Sequence, residues 1–314
     1  MKTGYVIGQG ATAMDTIINC SALPEADSFA AIQKEWLTSG GSAANTLVTV
    51  AQLGGKAALV AQVGDDELGK QFRKELLEDG VEDDYLFIKK DGITMHTYVL
   101  VDPEGRRSIL VNRGNSNHYL KGEQLPSDCM DGAAVCYIGG SPGSVAVQMV
   151  RYSKKKGIPI FMQIENLPSA LISSFCTREQ FEESISSAAM ISAGRAVFRE
   201  LGNCDDLEYC IKQVYEKYLP IHGVVCTAGE EGCLWYDGEI MRKASIFKVD
   251  AIDTTGAGDS FCGGLIYAYF LKKMDKQQAM LFSNACGAMK CACQGPRLRV
   301  TENQVLEFIA AYQR

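Results

Sequence analysis

The sequence has few residues of the kinds that would hold a metal, a disulfide framework or a nucleic acid. Its three histidines, His96, His118 and His222, stand far apart, and its 12 cysteines include no Cys-x-x-Cys pair. The pair Cys291-x-Cys293 is too closely spaced for a usual zinc motif, so we expect reduced, mostly buried cysteines. A formal net charge of −7 offers no basic surface to a nucleic acid.

Long apolar runs, a recognisable signal peptide and low-complexity linkers are also missing. No apolar run reaches the length of a membrane span. We therefore expect a cytoplasmic protein that binds neither nucleic acid nor membrane. The 314 residues, 46% hydrophobic and 22% charged, suffice for one large globular domain, and no linker divides them. The sequence predicts a single domain over 1–314.

Short apolar segments alternate with amphipathic ones along the chain. The strands are predicted at 5–8, 57–63, 133–138, 158–164 and 224–227, and the helices at 43–53, 66–78, 144–155, 277–293 and 301–312. Strands that alternate with helices favour an α/β fold, with a mostly parallel central sheet flanked by helices. Ligands of such sheets bind beyond the carboxyl ends of the strands.

Two segments do not follow this alternation. Residues 94–111 are typical of a hairpin with Asp102-Pro103-Glu104-Gly105 as its turn. Residues 16–37 have no clear helical periodicity. Taken by itself, the hairpin could be a solvent-exposed feature without a role in binding.

The run DTTGAGDSFCGG at 253–264 carries the clearest chemistry. After a stretch predicted to be extended (246–252), Gly256, Ala257 and Gly258 predict a turn, and a helix is predicted from about Asp259. The free amides and the positive dipole end of a helix start suit a phosphate. Asp259 could be an ordinary cap. Beside a phosphate, however, the carboxylate would be repelled, which favours a catalytic role: it would remove a proton from an attacking hydroxyl. The run therefore suggests phosphoryl transfer.

This run resembles the signature near the C-terminus of the PfkB, or ribokinase-like, carbohydrate kinases. A second run, TSGGSAANTLVTVAQLG at 38–54, followed by AALVAQVGDDELGKQF up to residue 72, resembles the family's other signature. The resemblance implies a ribokinase-like fold in which about 16–37 and 94–111 form a small β-sheet lid, with a possible homodimer through that lid. It also implies transfer of the γ-phosphoryl group of ATP, with Mg²⁺, to a sugar hydroxyl, with Asp259 as general base.

The resemblance assigns the substrate side to residues near the first strand and the second signature. Asp15 would accept hydrogen bonds from sugar hydroxyls, of which a carboxylate can take two. Gly40 and Gly41 would allow close approach of the sugar and act as a hinge for the lid, and Asn45 would contact the sugar. Arg113, at the end of the hairpin, could reach the sugar or an anionic group on it, or it could be a surface arginine.

The resemblance assigns the nucleotide side to two segments. Thr227, Gly229 and Gly232, in TAGEEG, would let the phosphates and ribose pass over small residues. Asn284 would line the adenine pocket, and Gly287 would let the base pack against its helix. Glycine-rich turns after strands are common, so TAGEEG indicates a nucleotide site only through its resemblance to the family.

Two further positions concern metal ions. Asp253, with the carbonyls around Gly295, resembles the site of a monovalent cation such as K⁺ in some relatives. Where many members have Asn-x-x-Glu to organise magnesium, this chain has Gly194 and Val197. Ketohexokinases and some sulfosugar kinases resemble the chain in this respect, which points to a ketose or a related sugar.

Three alternatives stay open at this point. GQGATA at 8–13 imitates the fingerprint of a nicotinamide-dependent dehydrogenase, although no clear helix follows it. A sugar-sensing protein of kinase fold that has lost catalysis is the second alternative. The third is the same phosphoryl transfer to a nucleoside or a phosphosugar.

Overall fold

A computed structural model describes residues 4–312, which form two β-sheets and the helices around them. The strands are β1 Tyr5–Gln9, β2 Ala13–Cys20, β3 Ile32–Gly40, β4 Lys56–Gly64, β5 Val81–Glu82, β6 Leu86–Lys89, β7 His96–Val101, β8 Arg107–Asn112, β9 Ala133–Ile138, β10 Ile160–Ile164, β11 Met190–Gly194, β12 Gly223–Thr227, β13 Cys233–Tyr236 and β14 Met241–Ala244. The helices are α1 Ser42–Gln52, α2 Glu67–Glu78, α3 Gly143–Lys156, α4 Pro168–Ser174, α5 Arg178–Ile185, α6 Arg195–Gly202, α7 Leu207–Tyr218, α8 Ala257–Leu265, α9 Lys276–Cys291 and α10 Glu302–Tyr312.

The larger sheet has the strand order β14-β13-β12-β11-β10-β9-β1-β4-β5, with β6 paired to β4. Its strands are parallel except β13 and β14, which are antiparallel to their neighbours. Both faces are buried, because alternate residues of β1 enter different cores: Val6 packs on the side of α1, α8 and α9, and Ile7 on the side of α3, α5 and α7. The predicted α/β fold with a mostly parallel central sheet is confirmed.

The four remaining strands form a separate small sheet in the order β3-β2-β7-β8. Residues 16–37 and 94–111 contribute most of it, so the predicted small sheet is confirmed. The hairpin between β7 and β8 turns at Asp102, whose carbonyl accepts a hydrogen bond from the amide of Gly105 at 2.9 Å. Strand β8 is exposed along its whole length.

Two sequence predictions differ from the structure in detail. Residues 246–252, predicted to be extended, join no strand ladder; the amide of Lys248 donates to the hydroxyl of Tyr312 at 3.0 Å and that of Ile252 to the carbonyl of Cys291 at 2.8 Å. Helix α8 begins at Ala257 rather than near Asp259. The prediction also omitted β5, β6, β11, β13, β14 and the helices from α4 to α7.

The structure argues against the dehydrogenase alternative. After Gly8 the chain enters strand β2 of the small sheet, and no helix begins there. A dinucleotide fingerprint needs a helix directly after its glycines, because the pyrophosphate binds at the N-terminus of that helix.

Among residues 4–312, none of the helices is both long and apolar enough to span a bilayer.

Candidate active site

The turn before α8 is shaped to receive a ligand. Gly256 has φ +79°, a left-handed conformation that favours glycine, and a Cβ there would lie 2.0 Å from the carbonyl oxygen of Pro296. A Cβ on Gly258 would meet no atom within 4 Å, so this side of the first turn faces open space. The structure thus places Ala257 and Gly258 in the first turn of α8, where amides lack intrahelical partners and the dipole favours an anion.

Asp259, in the same turn, is held by two amide side chains. Asn45 donates from Nδ2 to Oδ2 at 2.9 Å, and Gln163 donates from Nε2 to Oδ1 at 3.2 Å. Burial raises the pKa of Asp259 to about 6, while these two hydrogen bonds favour the ionised form. The group is therefore an oriented carboxylate near neutral pH with a proton affinity above that of an ordinary aspartate, as a general base requires.

A second carboxyl group, Glu165, lies just beyond the end of β10, and sequence reasoning missed it. Burial, and then the charge of Asp259, raise its pKa to about 8. The hydroxyl of Tyr137 donates to Gln163 Oε1 at 2.9 Å and lies 3.3 Å from Glu165 Oε1. Glu165 therefore holds a proton more tightly than Asp259 does. The signal for these residues was present, because Gln163 and Glu165 are polar positions at the carboxyl end of a buried strand.

Asp15 lies on β2, in the small sheet. Its Oδ1 accepts a hydrogen bond from Thr97 Oγ1 at 2.6 Å, and burial raises its pKa. A Cβ on Gly40 would stand 2.1 Å from Asp15 Oδ2, so the first glycine of the pair makes room for the carboxylate. Gly41 has φ +91°, and a Cβ there would meet the carbonyl of Ala11 at 2.4 Å. The glycines are thus required by local packing whatever their role toward a sugar.

Asn45 was predicted to contact the sugar, and that contact stays a prediction. In the structure its Nδ2 orients Asp259. Its Oδ1 is buried and has no hydrogen-bond partner among the described residues, which leaves an acceptor for a substrate hydroxyl. Both side-chain amide atoms of Gln9, at the end of β1, are likewise buried without a partner among the described residues.

The small sheet reaches residues 253–258, here called the anion loop, through Arg107 and not through Arg113. Arg107 Nη1 donates to Thr255 Oγ1 at 3.0 Å, and its Nη2 lies 3.6 Å from Asp253 Oδ1. Arg113 is exposed, with its guanidinium 5.0 Å from the ring centre of Phe175. Its role toward a substrate stays a prediction.

A cleft of about 820 Å³ opens beside the first turn of α8. All five residues predicted for the nucleotide side line it together with part of the anion loop: Thr227, Gly229, Gly232, Asn284, Gly287, Ala257 and Gly258. Phe247, Val249 and Phe261 give it an apolar wall. A groove that is apolar on one side and ends at a helix N-terminus suits a base and a phosphate chain.

Asn284 and Gly287 also have structural tasks in this cleft. Asn284 Nδ2 donates to the carbonyls of Ala244 at 3.1 Å and Ser245 at 2.9 Å, and so holds the wall that follows β14. A Cβ on Gly287 would lie 3.3 Å from the carbonyl of Ala257, so glycine lets α9 approach α8 closely. Their contacts with a nucleotide stay predictions.

The positions predicted for metals differ in what they offer. Asp253 accepts hydrogen bonds from the amides of Thr255 at 3.0 Å and Gly295 at 3.1 Å. Gly194 precedes α6, and Val197 is buried in the apolar core, so neither supplies a side-chain oxygen. Residues 4–312 contain no group of three or more histidines, cysteines or carboxylates arranged to hold a metal ion.

Comparison with known proteins identifies relatives along nearly the whole chain. The ATP-dependent ribose-1-phosphate kinase of Halopiger xanaduensis is 28% identical over 307 residues, 97% of this chain and 98% of that protein. Fructokinase-1 of Zea mays is 28% identical over 86% of this chain and 88% of its own. The structure of Arabidopsis thaliana ribokinase complexed with ribose and ATP superposes with a TM-score of 0.84 at 19% identity, covering 98% of this chain and 99% of that one.

The family itself follows from a match that spans the two sheets, the anion loop and the cleft. The model of the pfkB family carbohydrate kinases matches residues 5–303, and the fold agrees with that of the ribokinases. The chain therefore belongs to the pfkB family of carbohydrate kinases.

Proposed function

We propose that this chain transfers the γ-phosphoryl group of ATP to a hydroxyl of a sugar, with Asp259 as the general base. The observation that carries the proposal is the position of Asp259. It stands in the first turn of α8, which lines the cleft, and it accepts a hydrogen bond from Asn45, whose Oδ1 has no partner among the described residues. A proton acceptor in the same turn as free helix-start amides is the arrangement that phosphoryl transfer needs.

The chain's own groups account for each step. Asn45 and Gln163 hold the carboxylate of Asp259 so that an oxygen faces the sugar hydroxyl. As the hydroxyl oxygen bonds to the γ-phosphorus, its proton passes to Asp259, and the bond from phosphorus to the bridging oxygen of ADP breaks. The amides of Ala257 and Gly258 stabilise the charge that spreads over the transferred group.

Magnesium supplies charge neutralisation when it is bound with the nucleotide. Because Gly194 and Val197 offer no side-chain oxygen, we expect the ion to be held by phosphate oxygens and water rather than by that segment. K⁺ at Asp253 and dimerisation through the small sheet stay predictions.

We also propose that the small sheet acts as a lid. Arg107 already bonds to Thr255 in the anion loop, and Asp15 on β2 packs against Gly40 at the end of β3. Closure would exclude water, which otherwise competes with the sugar for the phosphoryl group.

The decisive experiment is ADP release from the purified protein with magnesium-ATP over ketoses, aldoses, phosphosugars and nucleosides. We expect release that depends on a sugar, with ketoses such as fructose the first candidates. A phosphosugar is the main competitor, since one relative is a ribose-1-phosphate kinase. Sugar binding without ADP release would instead support the sensor.

The pH dependence of kcat/KM gives an independent check. We expect a bell with apparent pKa values near 6 and near 8, which belong to the Asp259–Glu165 pair. Below the lower value the base is protonated and activity falls. Above the upper value Glu165 ionises and places a second negative charge beside the incoming phosphate, so activity falls again.

The Glu165→Gln variant separates the acid and alkaline limbs of the pH profile of kcat/KM. Glutamine mimics the protonated acid, so we expect this variant to keep the acid limb and to lose the alkaline one. An alkaline limb that is unchanged in Glu165→Gln would exclude Glu165 as its origin.

A further inference from the structure

Lys290, in the last turn of α9, is completely buried, although it is a lysine. Its Nζ donates to the backbone carbonyl of Asp253 at 3.1 Å and to that of Cys293 at 3.0 Å. Burying an ammonium is costly unless oxygen atoms replace its water. Two backbone carbonyls supply that replacement, so the ammonium has a prepared place in the fold.

This place lies directly behind the anion loop. The amide of Asp253 donates to the carbonyl of Cys291 at 3.1 Å, and the amide of Gly295 donates to Asp253 Oδ2 at 3.1 Å. Three residues after Asp253, Gly256 packs against the carbonyl of Pro296, the residue that follows Gly295. The ammonium therefore joins the segment that enters the anion loop to the segment that follows α9.

The charges at this place balance one another. Burial raises the pKa of Asp253, but hydrogen bonds from Thr255 and Gly295 and the charge of Lys290 outweigh it and hold that pKa below its usual value. Burial lowers the pKa of Lys290, and the Asp253 carboxylate opposes this. Two carbonyl oxygens bonded to one positive charge, with a carboxylate near enough to influence its pKa, form the kind of donor set that a monovalent cation uses.

We propose that the ammonium of Lys290 serves as a built-in monovalent cation that holds the anion loop, 253–258, in its binding conformation. It takes the place that sequence resemblance assigns to a free K⁺ at Asp253, so nucleotide binding by this chain is independent of K⁺. Lys290 is a positioning residue, because it acts through the loop. The proposal rests on the proposed function, in which this loop receives the γ-phosphate.

The test is calorimetric binding of the non-hydrolysable analogue AMP-PNP with magnesium, in potassium or tetramethylammonium chloride at equal ionic strength. We expect the wild type to bind equally well in both salts. Lys290→Ala should bind at least about tenfold more weakly in tetramethylammonium, since charge-assisted bonds that order the loop are lost. Potassium or ammonium ions should restore its affinity, because the vacated carbonyls can accept them.

Two variants keep the result interpretable. Lys290→Met retains the buried stem without the charge, so it should fold, bind AMP-PNP weakly and regain no affinity in K⁺. Lys155→Ala removes the charge of an exposed lysine on α3 and is the control for loss of a charge. Thermal unfolding of each variant separates loss of the loop from loss of the fold. Potassium-dependent binding by the wild type, or full affinity in a folded Lys290→Met variant, would overturn the proposal. Failure of the wild type to bind AMP-PNP in either salt would count against the proposed function instead.

Discussion

Replacing Asp259 by asparagine is expected to lower turnover by about 10²–10⁴-fold, the usual contribution of a general base. Asparagine has nearly the same shape as aspartate, and its oxygen can still accept one of the bonds from Asn45 and Gln163. It cannot accept the proton of the attacking hydroxyl. The chemical step therefore loses its base while the nucleotide cleft is left in place.

The measurement is ADP release at saturating ATP with the best substrate from the panel, together with AMP-PNP affinity and thermal unfolding. We expect the loss in kcat, with affinity for the nucleotide and the melting temperature close to those of the wild type. Asp205→Asn, which changes an exposed aspartate between α6 and α7, is the matched control and should keep full activity. Near-normal turnover of Asp259→Asn would remove Asp259 from the role.

Removal of the Asp79 carboxylate is expected to lower the free energy of unfolding by about 3–5 kcal/mol, the range for breaking a buried ion pair. Asp79 is 4% exposed and accepts hydrogen bonds from Arg297 Nη1 at 2.8 Å and from Arg299 Nε at 2.5 Å. Arg297 is also 4% exposed, and its Nε and Nη2 have no partner among the described residues. Asp79→Ala therefore leaves a buried guanidinium without its counter-charge.

Urea unfolding of Asp79→Ala measures this loss. The control is Glu183→Ala, which breaks the ion pair with Arg151, at 2.8 and 3.0 Å, on the exposed surface. Solvent screens that pair, so a far smaller loss is expected there. Replacing Arg297 by methionine together with Asp79→Leu should recover much of the stability, because no unpaired buried charge is left and Arg299 is exposed to solvent. Equal losses for Asp79→Ala and Glu183→Ala would show that burial does not strengthen the first pair.

The anion loop was predictable because its signal is local. Gly256, Gly258 and Asp259 lie within four residues of one another, and helix capping depends on a few neighbouring residues. The start of α8 was placed two residues too late, since glycine and alanine were read as a turn. In the structure Gly256 caps the helix in a left-handed conformation, and Gly258 is tolerated because amides in the first turn need no intrahelical partner.

Residues 246–252 show what a local pattern leaves open. Their apolar side chains are typical of an extended strand, yet the segment joins no strand ladder. The hydroxyl of Tyr312 accepts a hydrogen bond from the amide of Lys248, and the carbonyl of Cys291 accepts one from the amide of Ile252. Residues distant in sequence thus hold the segment, and Phe247 and Val249 form a wall of the cleft beside α8.

The sequence by itself determined the kinase family, the α/β fold, the small separate sheet and the five predicted residues that line the cleft beside α8, because these follow from short motifs and from alternating apolar segments. Only the tertiary structure decided how Asp259 is held, that the charge of Asp259 raises the pKa of Glu165, and that Lys290 stands behind the anion loop. Asn45, Gln163 and Asp259 are far apart in the chain and meet only through folding. Their proton affinities depend on burial and on neighbouring charge, which no local pattern of residues specifies.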